Sequence, residues 1–288
     1  MTPLDQAWLA DHPLPPLEHD TDKNRRGRLL IAGGAVTVPG ALLLSGEAAF
    51  RAGAGKVQLA VPGPIATLLG VRMPEAAVFA LAVNDDGELG PDAHELGDLV
   101  ERCDTIILGP GTGREADSAA LLKAVLAKDT GEVALLLDAA VLAASPDFAD
   151  ELKAWRGPLV MTPHPGEMSL LMECEADEVA PQMAVAAAER YGATVLLKGP
   201  KTWIASPGQA VIEYPGGGPG LGTGGSGDVL AGVIGGLLAR GADAPTAAAW
   251  GVWAHGEAGR ALAKRMAPIG FLAREVLGEI PGLLYGNT

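Results

Sequence analysis

Short apolar runs alternate along this chain with longer segments of helical pattern, and this alternation restricts the fold more than any other feature. Each run is bounded by glycine, proline or polar residues, as is typical of strands that are buried on both faces of a parallel sheet. The runs are Arg28–Ala32, Val57–Val61, Ala76–Val83, Thr105–Leu108, Val133–Leu137, Leu159–Thr162 and Thr194–Leu197. We therefore predict an α/β fold with a mostly parallel central sheet and helices on both faces.

Helical patterns fill most of the intervals, at Ala41–Ala52, Glu115–Lys128, Glu167–Glu173, Glu178–Tyr191, Asp228–Arg240, Pro245–Arg265 and Ile269–Leu277. Two β-rich runs, Thr202–Ser206 and Ala210–Tyr214, flank a Pro-Gly-Gln turn and predict a hairpin. No linker or repeat divides the chain, so we predict a single domain over residues 23–288. The Pro-rich, charged residues 1–22 are interpreted as a lead-in segment.

Composition excludes several classes of partner. The 288 residues are 48% hydrophobic, enough for a large core, and a net charge of −14 argues against nucleic acid or an anionic membrane. The longest apolar runs, such as Val229–Ala239, are shorter than the ~20 residues that span a bilayer, and residues 1–17 show no secretory signal. Cys103 and Cys174 match no metal-site spacing. We expect reduced thiols and a cytoplasmic location, and assign no metal ligands.

Polar or glycine-rich residues follow five of the predicted strands, at the point where each strand ends. They are Gly33-Gly34, Gly109–Gly113, Asp138, His164 and Lys198. In open α/β sheets, ligands bind outside the carboxyl ends of the strands. The sequence therefore predicts that these residues form the rim of a binding site.

A glycine-saturated loop at residues 215–227 runs directly into an apolar helical pattern. The first amide groups of a helix have no partner within the helix and carry the positive end of its dipole, so this junction suits an anion. Asp228 is unexpected here, because its carboxylate repels a phosphate unless it has another role. The alternative is a purely structural role, in which Ser226 or Asp228 caps the helix.

Three glycines, Gly232, Gly235 and Gly236, lie inside the helical pattern that follows the loop. Each costs about 1 kcal/mol relative to alanine in a helix. We therefore expect close packing of this helix against the sheet or against another helix.

Other polar residues allow two interpretations each. Lys198 and Lys201 either bind phosphate or are solvated surface charges, and His164, between two prolines, either binds a ligand or stabilises its loop. Asp138 binds a metal or ribose, or caps the next helix, which we favour slightly. His255 lies in a helical pattern between apolar residues and is interpreted as a packing histidine.

Taken together, the motifs resemble those of the ADP- or ATP-dependent NAD(P)H-hydrate dehydratases. The resemblance runs in order from about residue 23 to residue 260. It rests on Gly33-Gly34, Pro39-Gly40-Ala41, Ala52–Gly55, Gly109–Gly113, Thr162–Glu167, Leu197–Gly199 with Thr202, and Gly224–Gly232. The Gly-Ser-Gly-Asp sequence alone is shared with the wider ribokinase-like superfamily.

This resemblance implies a three-layer ribokinase-like fold and a repair reaction. The substrate is NADH or NADPH with water added across the C5–C6 double bond of the nicotinamide ring. Phosphorylation of the C6 hydroxyl by ADP or ATP, with Mg²⁺, makes a good leaving group, and elimination of phosphate restores the cofactor. Bacterial stand-alone members of the family tend to use ADP, so we favour ADP as the donor. The resemblance also implies a homotetramer. Since 288 residues leave no room for the epimerase domain of many family members, we expect a stand-alone dehydratase.

The resemblance also implies site residues. Substrate contacts fall on Ala41, Gly113, His164 and Asp228, and Asp228 is the catalytic base, kept ionised by the helix dipole. Nucleotide contacts fall on Lys198, Gly199, Pro200, Lys201, Thr202, Gly225, Ser226 and Gly227.

The chain departs from the family pattern at three positions. Ala35 stands where a serine is usual, Val38 where a tyrosine is frequent, and Ala140 where a second carboxylate follows Asp138. Two alternatives therefore stay open: a small-molecule kinase of the same fold, for a vitamin precursor or sugar, and a non-catalytic nucleotide-binding protein.

Overall fold

The centre of the molecule is a single β-sheet. The computed structural model describes residues 1–17, 22–90, 95–113, 115–128, 131–175 and 178–286, and ten strands of this part of the chain form the sheet. In chain order they are β1 (Thr2–Pro3), β2 (Arg28–Ala32), β3 (Lys56–Pro62), β4 (Ala77–Leu81), β5 (Thr105–Leu108), β6 (Ala134–Leu137), β7 (Leu159–Met161), β8 (Thr194–Leu197), β9 (Thr202–Ala205) and β10 (Ile212–Tyr214).

The strand order across the sheet is β1-β10-β9-β8-β7-β6-β5-β2-β3-β4. Every neighbouring pair from β8 to β4 is parallel. The predicted hairpin is confirmed, since β9 is antiparallel to both β8 and β10. The carboxyl ends of β8, β7, β6, β5 and β2 therefore meet at one edge in an unbroken row.

Helices cover both faces of the sheet, so the predicted three-layer arrangement is confirmed. They are α1 (Gln6–Asp11), α2 (Gly40–Arg51), α3 (Gly63–Arg72), α4 (Leu96–Val100), α5 (Glu115–Leu126), α6 (Ala140–Ala144), α7 (Ala149–Lys153), α8 (Pro165–Met172), α9 (Pro181–Tyr191), α10 (Ser226–Ala239), α11 (Ala244–Arg265), α12 (Ala273–Val276) and α13 (Ile280–Tyr285). One apolar core contains α2, α10 and α11, and a second, on the other face, contains α5, α8 and α9. In the described ranges no helix is both long and apolar enough to cross a membrane.

The two ends of the chain differ most from the sequence prediction. The length predicted for the helix at Ile269–Leu277 is wrong. Only Ala273–Val276 is helical, and Gly270 has a left-handed φ of +98°. At the other end, β1 pairs with β10, and Trp8 and Leu9 are buried in the first core. The first residues of the predicted lead-in thus pack on the domain, and the boundary at residue 23 stays a prediction.

The glycines inside α10 allow the close packing expected of them. An added Cβ at Gly232 would collide with the carbonyl oxygen of Ser45 in α2, and one at Gly236 would lie 2.7 Å from that of Ala49. On the sheet side, Gly235 leaves room for Ile107 of β5. The absence of side chains brings α10 close to α2 and to the sheet, which fixes where its amino end lies.

Candidate active site

The strand ends of the central row lie against one another, as the sequence predicts. The amide of Gly34, after β2, donates to the carbonyl of Pro110, after β5, at 2.8 Å. Gly109 has φ +122°, and any side chain there would collide with the carbonyl of Asp138, after β6. Backbone from three successive strand ends is therefore packed without intervening side chains.

The glycine loop leads directly into α10. Gly225 is the N-cap residue, with a left-handed φ of +88° that strains any other residue, and no side chain caps the helix. The capping interpretation of Ser226 and Asp228 is therefore wrong. Among the described residues, no hydrogen bond is formed by the amides of Gly227 and Asp228. The helix thus presents two free donors, as an anion site requires.

A buried hydrogen bond ties the glycine loop to α11. The hydroxyl of Ser226 lies 3.0 Å from Nε2 of His255, and both side chains are buried. Burial lowers the pKa of His255 to about 4, so the ring is neutral at physiological pH. His255 is a packing residue as predicted, but its contact with Ser226 was missed, because Ser226 and His255 are 29 positions apart.

A charged cluster lies beneath the loop. Nζ of Lys198, after β8, lies 3.1 Å from Oδ1 of Asp138 and 3.6 Å from Oε2 of Glu167. Thr162 donates its hydroxyl to the same Asp138 oxygen at 2.6 Å. The preferred cap interpretation of Asp138 is wrong, because Ala139 is the N-cap residue of α6. Asp138 instead supplies the countercharge for Lys198, and neither Thr162 nor Glu167 was assigned this role from the sequence.

Asp228 lies in the first turn of α10 and is half-buried. Burial, together with the negative charge of Asp138, raises its pKa to about 7, while Lys198 acts in the opposite direction. The expectation of a fully ionised carboxylate is therefore wrong, since a pKa of about 7 leaves about half of the groups protonated near neutral pH. A group that is half ionised near neutral pH is suited to proton transfer.

A cavity of about 1040 Å³ opens beside the glycine loop. The predicted nucleotide residues that line it are Lys198, Gly199, Pro200, Thr202, Ser226 and Gly227. Neither Gly225, the N-cap residue of α10, nor Lys201 is among the lining residues. The ammonium of Lys201 binds Glu213 at 2.8 Å across the hairpin, as a surface ion pair. The side chain of Lys201 is thus not directed to the cavity.

The predicted substrate residues are divided between two places. His164 lines the cavity. It also caps α8, accepting at Nδ1 from the amide of Glu167 at 3.1 Å, so its stabilising role in the loop is confirmed and its ligand contact stays a prediction. Ala41 and Gly113 lie instead by the ends of β2 and β5, where Ala41 is close to Gly111. Asp228 follows Gly227, which lines the cavity.

The described residues contain no cluster of histidine, cysteine, aspartate or glutamate that could hold a metal ion by itself. Both cysteines are free, and burial raises the pKa of Cys103 to about 12, so this thiol is unreactive. The site therefore offers backbone amides, one lysine and one carboxylate of raised pKa.

Comparison with known proteins gives a consistent result. A family model described as NAD(P)H-hydrate dehydratase matches residues 29–282. The ADP-dependent (S)-NAD(P)H-hydrate dehydratase of Xanthomonas campestris is 46% identical over 96% of this chain and 94% of its own length. A bifunctional NAD(P)H-hydrate repair enzyme of Moorella thermoacetica is 36% identical over 98% of this chain. The chain spans 53% of that bifunctional enzyme.

Two solved structures share the fold. A ribokinase-like superfamily protein of Enterococcus faecalis superposes with a TM-score of 0.83 at 27% identity, covering 99% of this chain and 95% of the other. The ADP/ATP-dependent NAD(P)H-hydrate dehydratase of Bacillus subtilis, co-crystallised with ATP and Mg²⁺, gives 0.78 at 26% identity, with coverages of 94% and 93%. With a family model over most of its length and a close relative of nearly equal extent, the chain belongs to the NAD(P)H-hydrate dehydratase family.

Proposed function

We propose that this protein is a nucleotide-dependent hydro-lyase that dehydrates (6S)-NADH hydrate or (6S)-NADPH hydrate and so repairs the cofactor. The observation that carries the proposal is the position of Asp228. A carboxylate with a pKa of about 7 stands in the first turn of α10, next to two free amides and a large cavity. Such a group is suited to removing a proton from a hydroxyl as a phosphoryl group arrives.

The chemistry explains why a phosphoryl group is needed. Hydroxide is a poor leaving group, so the C6 hydroxyl of the hydrated ring is lost far more easily as phosphate. The lone pair of the ring nitrogen then expels phosphate, and loss of a proton restores the dihydropyridine. The protein has to hold the hydroxyl in line with the phosphoryl donor, accept its proton and stabilise the oxygens of the transferring group.

The residues present fit a phosphate-bearing nucleotide. The amides of Gly227 and Asp228 are free donors, and an added Cβ at Gly227 would lie 3.8 Å from Nζ of Lys198. Lys198 therefore adds a positive charge beside the loop, while Gly199, Pro200 and Thr202 line the same cavity. Bound with the nucleotide, Mg²⁺ neutralises phosphate charge. The donor is ADP or ATP, and the name of the Xanthomonas relative supports ADP.

We propose that the substrate binds next to Asp228 and adjacent to the phosphate-binding loop. We infer contacts from Ala41 in the first turn of α2 and from Gly113 and His164, which follow β5 and β7. Ala41 and Gly113 lie where backbone is closely packed, so a ring placed there would approach main-chain groups without side chains between. The carboxylate of Asp228 would then lie beside the C6 hydroxyl and accept its proton, while the hydroxyl oxygen faces the phosphoryl group held at the glycine loop. Ala140 is the first residue of α6. Asp138 and Lys198 form their ion pair without the second carboxylate that the family pattern places at position 140.

The test is the recovery of near-ultraviolet NADH absorbance from hydrated NADH, with Mg²⁺ and either ADP or ATP, while released phosphate is measured. We expect recovery with one phosphate released per NADH formed. A stable phosphorylated product without NADH would identify a small-molecule kinase of the same fold. Binding of nucleotide and hydrated cofactor without phosphate release would identify a non-catalytic binding protein.

We further propose a homotetramer that acts in the cytoplasm, with small-molecule partners only. The family resemblance supports the tetramer, and the net charge of −14 argues against nucleic acid and anionic membranes. Light scattering on the purified chain tests the oligomer, with an expected mass four times that of one chain. A mass equal to that of one chain would refute the tetramer and leave the dehydratase proposal standing.

A further inference from the structure

A second hollow lies at the opposite edge of the sheet from Asp228. It has a volume of about 500 Å³, and its lining includes four cationic side chains, those of Lys23, Arg28, Lys56 and Arg102. Arg28 and Lys56 are the first residues of β2 and β3. The hollow is therefore at the amino ends of the parallel strands, whereas the rim described above is at their carboxyl ends.

Sheet register brings these cations together. Arg28 and Lys56 are direct partners in the β2–β3 ladder, and side chains of in-register neighbours share one face of a sheet. Gln58, two residues further on, shares that face and also lines the hollow. Hydrogen bonds from the amide of Gly55 to the carbonyls of Arg26 and Gly27, each 3.1 Å, fix the segment that carries Lys23 beside β3.

The positive charges in the hollow are poorly compensated by the protein. Arg28 forms an ion pair with Asp104 at 2.7 Å, and Glu75 is the one carboxylate among the lining residues. Within the described ranges, neither Lys23, Lys56 nor Arg102 forms an ion pair. The pKa of Asp22 is lowered chiefly by hydrogen bonds from the amides of Arg25 and Asn24, and to a smaller extent by the charge of Lys56. Three cations without ion-pair partners thus line a concave surface of a chain whose net charge is −14.

We infer that this hollow binds a small anion carrying at least two phosphate groups, at a site separate from the glycine loop. A guanidinium and two ammonium groups provide several donors for phosphate oxygens, and Arg102 can bind two of them at once. The negative field of the whole protein repels anions at long range. A ligand must therefore gain from several cations together, which favours a diphosphate over a monovalent anion.

The experiment uses inorganic pyrophosphate as the probe and the full chain labelled with ¹⁵N. Pyrophosphate should also bind the free amides at the start of α10, so the readout must locate the binding. We expect two separate groups of shifted amide signals on titration. One is around Gly227, and the other includes Gly55, Gln58 and Ala77, all of which line the hollow. Chloride at equal ionic strength should not reproduce the second group.

The double variant Lys56→Gln, Arg102→Gln tests the cations themselves. It should weaken the second binding event by about tenfold or more, since two charge-assisted contacts are lost, and leave the first unchanged. Lys123→Gln with Lys153→Gln is the matched control, because it removes the same charge from exposed positions outside the hollow. The control should bind pyrophosphate at both places like the wild type.

Three outcomes would overturn the inference. They are amide shifts confined to the glycine loop, equal affinity of the double variant and the control, and shifts around Gly55 that depend on protein concentration without pyrophosphate. The last would identify the hollow as a contact between two copies of the chain. The wild-type titration decides the matter even if the double variant does not fold. The result is independent of the dehydratase assay.

Discussion

The ammonium of Lys198 lies 3.1 Å from Oδ1 of Asp138, and the exposed fractions of the two side chains are only 20% and 6%. The two residues are 60 positions apart and follow β8 and β6. Thr162, which follows the intervening strand β7, donates to the same carboxylate at 2.6 Å. Three adjacent strand ends therefore hold one lysine charge beneath the glycine loop. The charge of Asp138 raises the pKa of Asp228, and the charge of Lys198 lowers it.

The pH dependence of turnover should report the ionisation of Asp228. A base acts only when deprotonated, so kcat/KM should rise about tenfold per pH unit on the acid side and level off above the pKa. Because burial and Asp138 raise that pKa to about 7, the bend is expected near pH 7. A profile flat from pH 5 to 8 would contradict the assignment. Initial rates at low substrate concentration across that range give the measurement.

Asp138→Asn should move this bend to lower pH. The variant removes a negative charge that raises the pKa of Asp228 and leaves the opposing charge of Lys198 in place. It also leaves a largely buried lysine without its main partner, which should cost about 3 kcal/mol of stability. Asp104→Asn is the control, because its pair with Arg28 is 40% exposed on both sides and worth less than about 1 kcal/mol. An unmoved bend in Asp138→Asn would show that the pair does not affect Asp228.

Asp228→Asn should make the protein more stable at neutral pH. The folded pKa of Asp228, about 7, lies above the unfolded value of 3.8, so the folded state binds more protons between these pH values. Wild-type stability is therefore lost as pH rises from about 4 to about 7, and asparagine avoids this loss. We expect a gain of roughly 1–3 kcal/mol at pH 8 that disappears near pH 4. Urea unfolding at both pH values measures it.

Gly232→Ala should destabilise the fold although alanine favours helices. Its Cβ would collide with backbone in α2, and overpacking of this kind costs about 1–3 kcal/mol. Gly282→Ala in α13 is the matched control, because its Cβ meets nothing within 4 Å. That control should be neutral or gain up to about 1 kcal/mol. Equal thermal unfolding temperatures for the two variants would refute the close packing of α10 on α2.

The sequence was sufficient to predict the layers and the row of strand ends at one edge of the sheet. Apolar runs identify strands buried on both faces, and the carboxyl ends of parallel strands must meet at one edge. The sequence could not show which side chains meet there. The contacts of Lys198 with Asp138 and of Ser226 with His255 depend on strand order and on how α11 packs, and neither leaves a local signal.

Two errors at the site have a common physical cause. The sequence indicated that a helix dipole keeps Asp228 ionised and that Asp138 caps the helix after it, both of which are local effects. Burial and the negative charge of Asp138 act against the first, because both penalise the charged form of Asp228. The second is wrong because the carboxylate of Asp138 binds the buried ammonium of Lys198 and does not cap α6. Predictions from neighbouring residues were wrong where charged groups that are distant in sequence lie close together in a buried place.

The most direct test of the account compares Asp228→Asn with the wild type in the recovery of NADH from hydrated NADH, at saturating nucleotide and Mg²⁺. If Asp228 accepts the proton of the C6 hydroxyl, kcat should fall by about 100-fold or more, while nucleotide affinity and folding are retained. A variant whose kcat stays within a few-fold of the wild-type value would contradict the central claim.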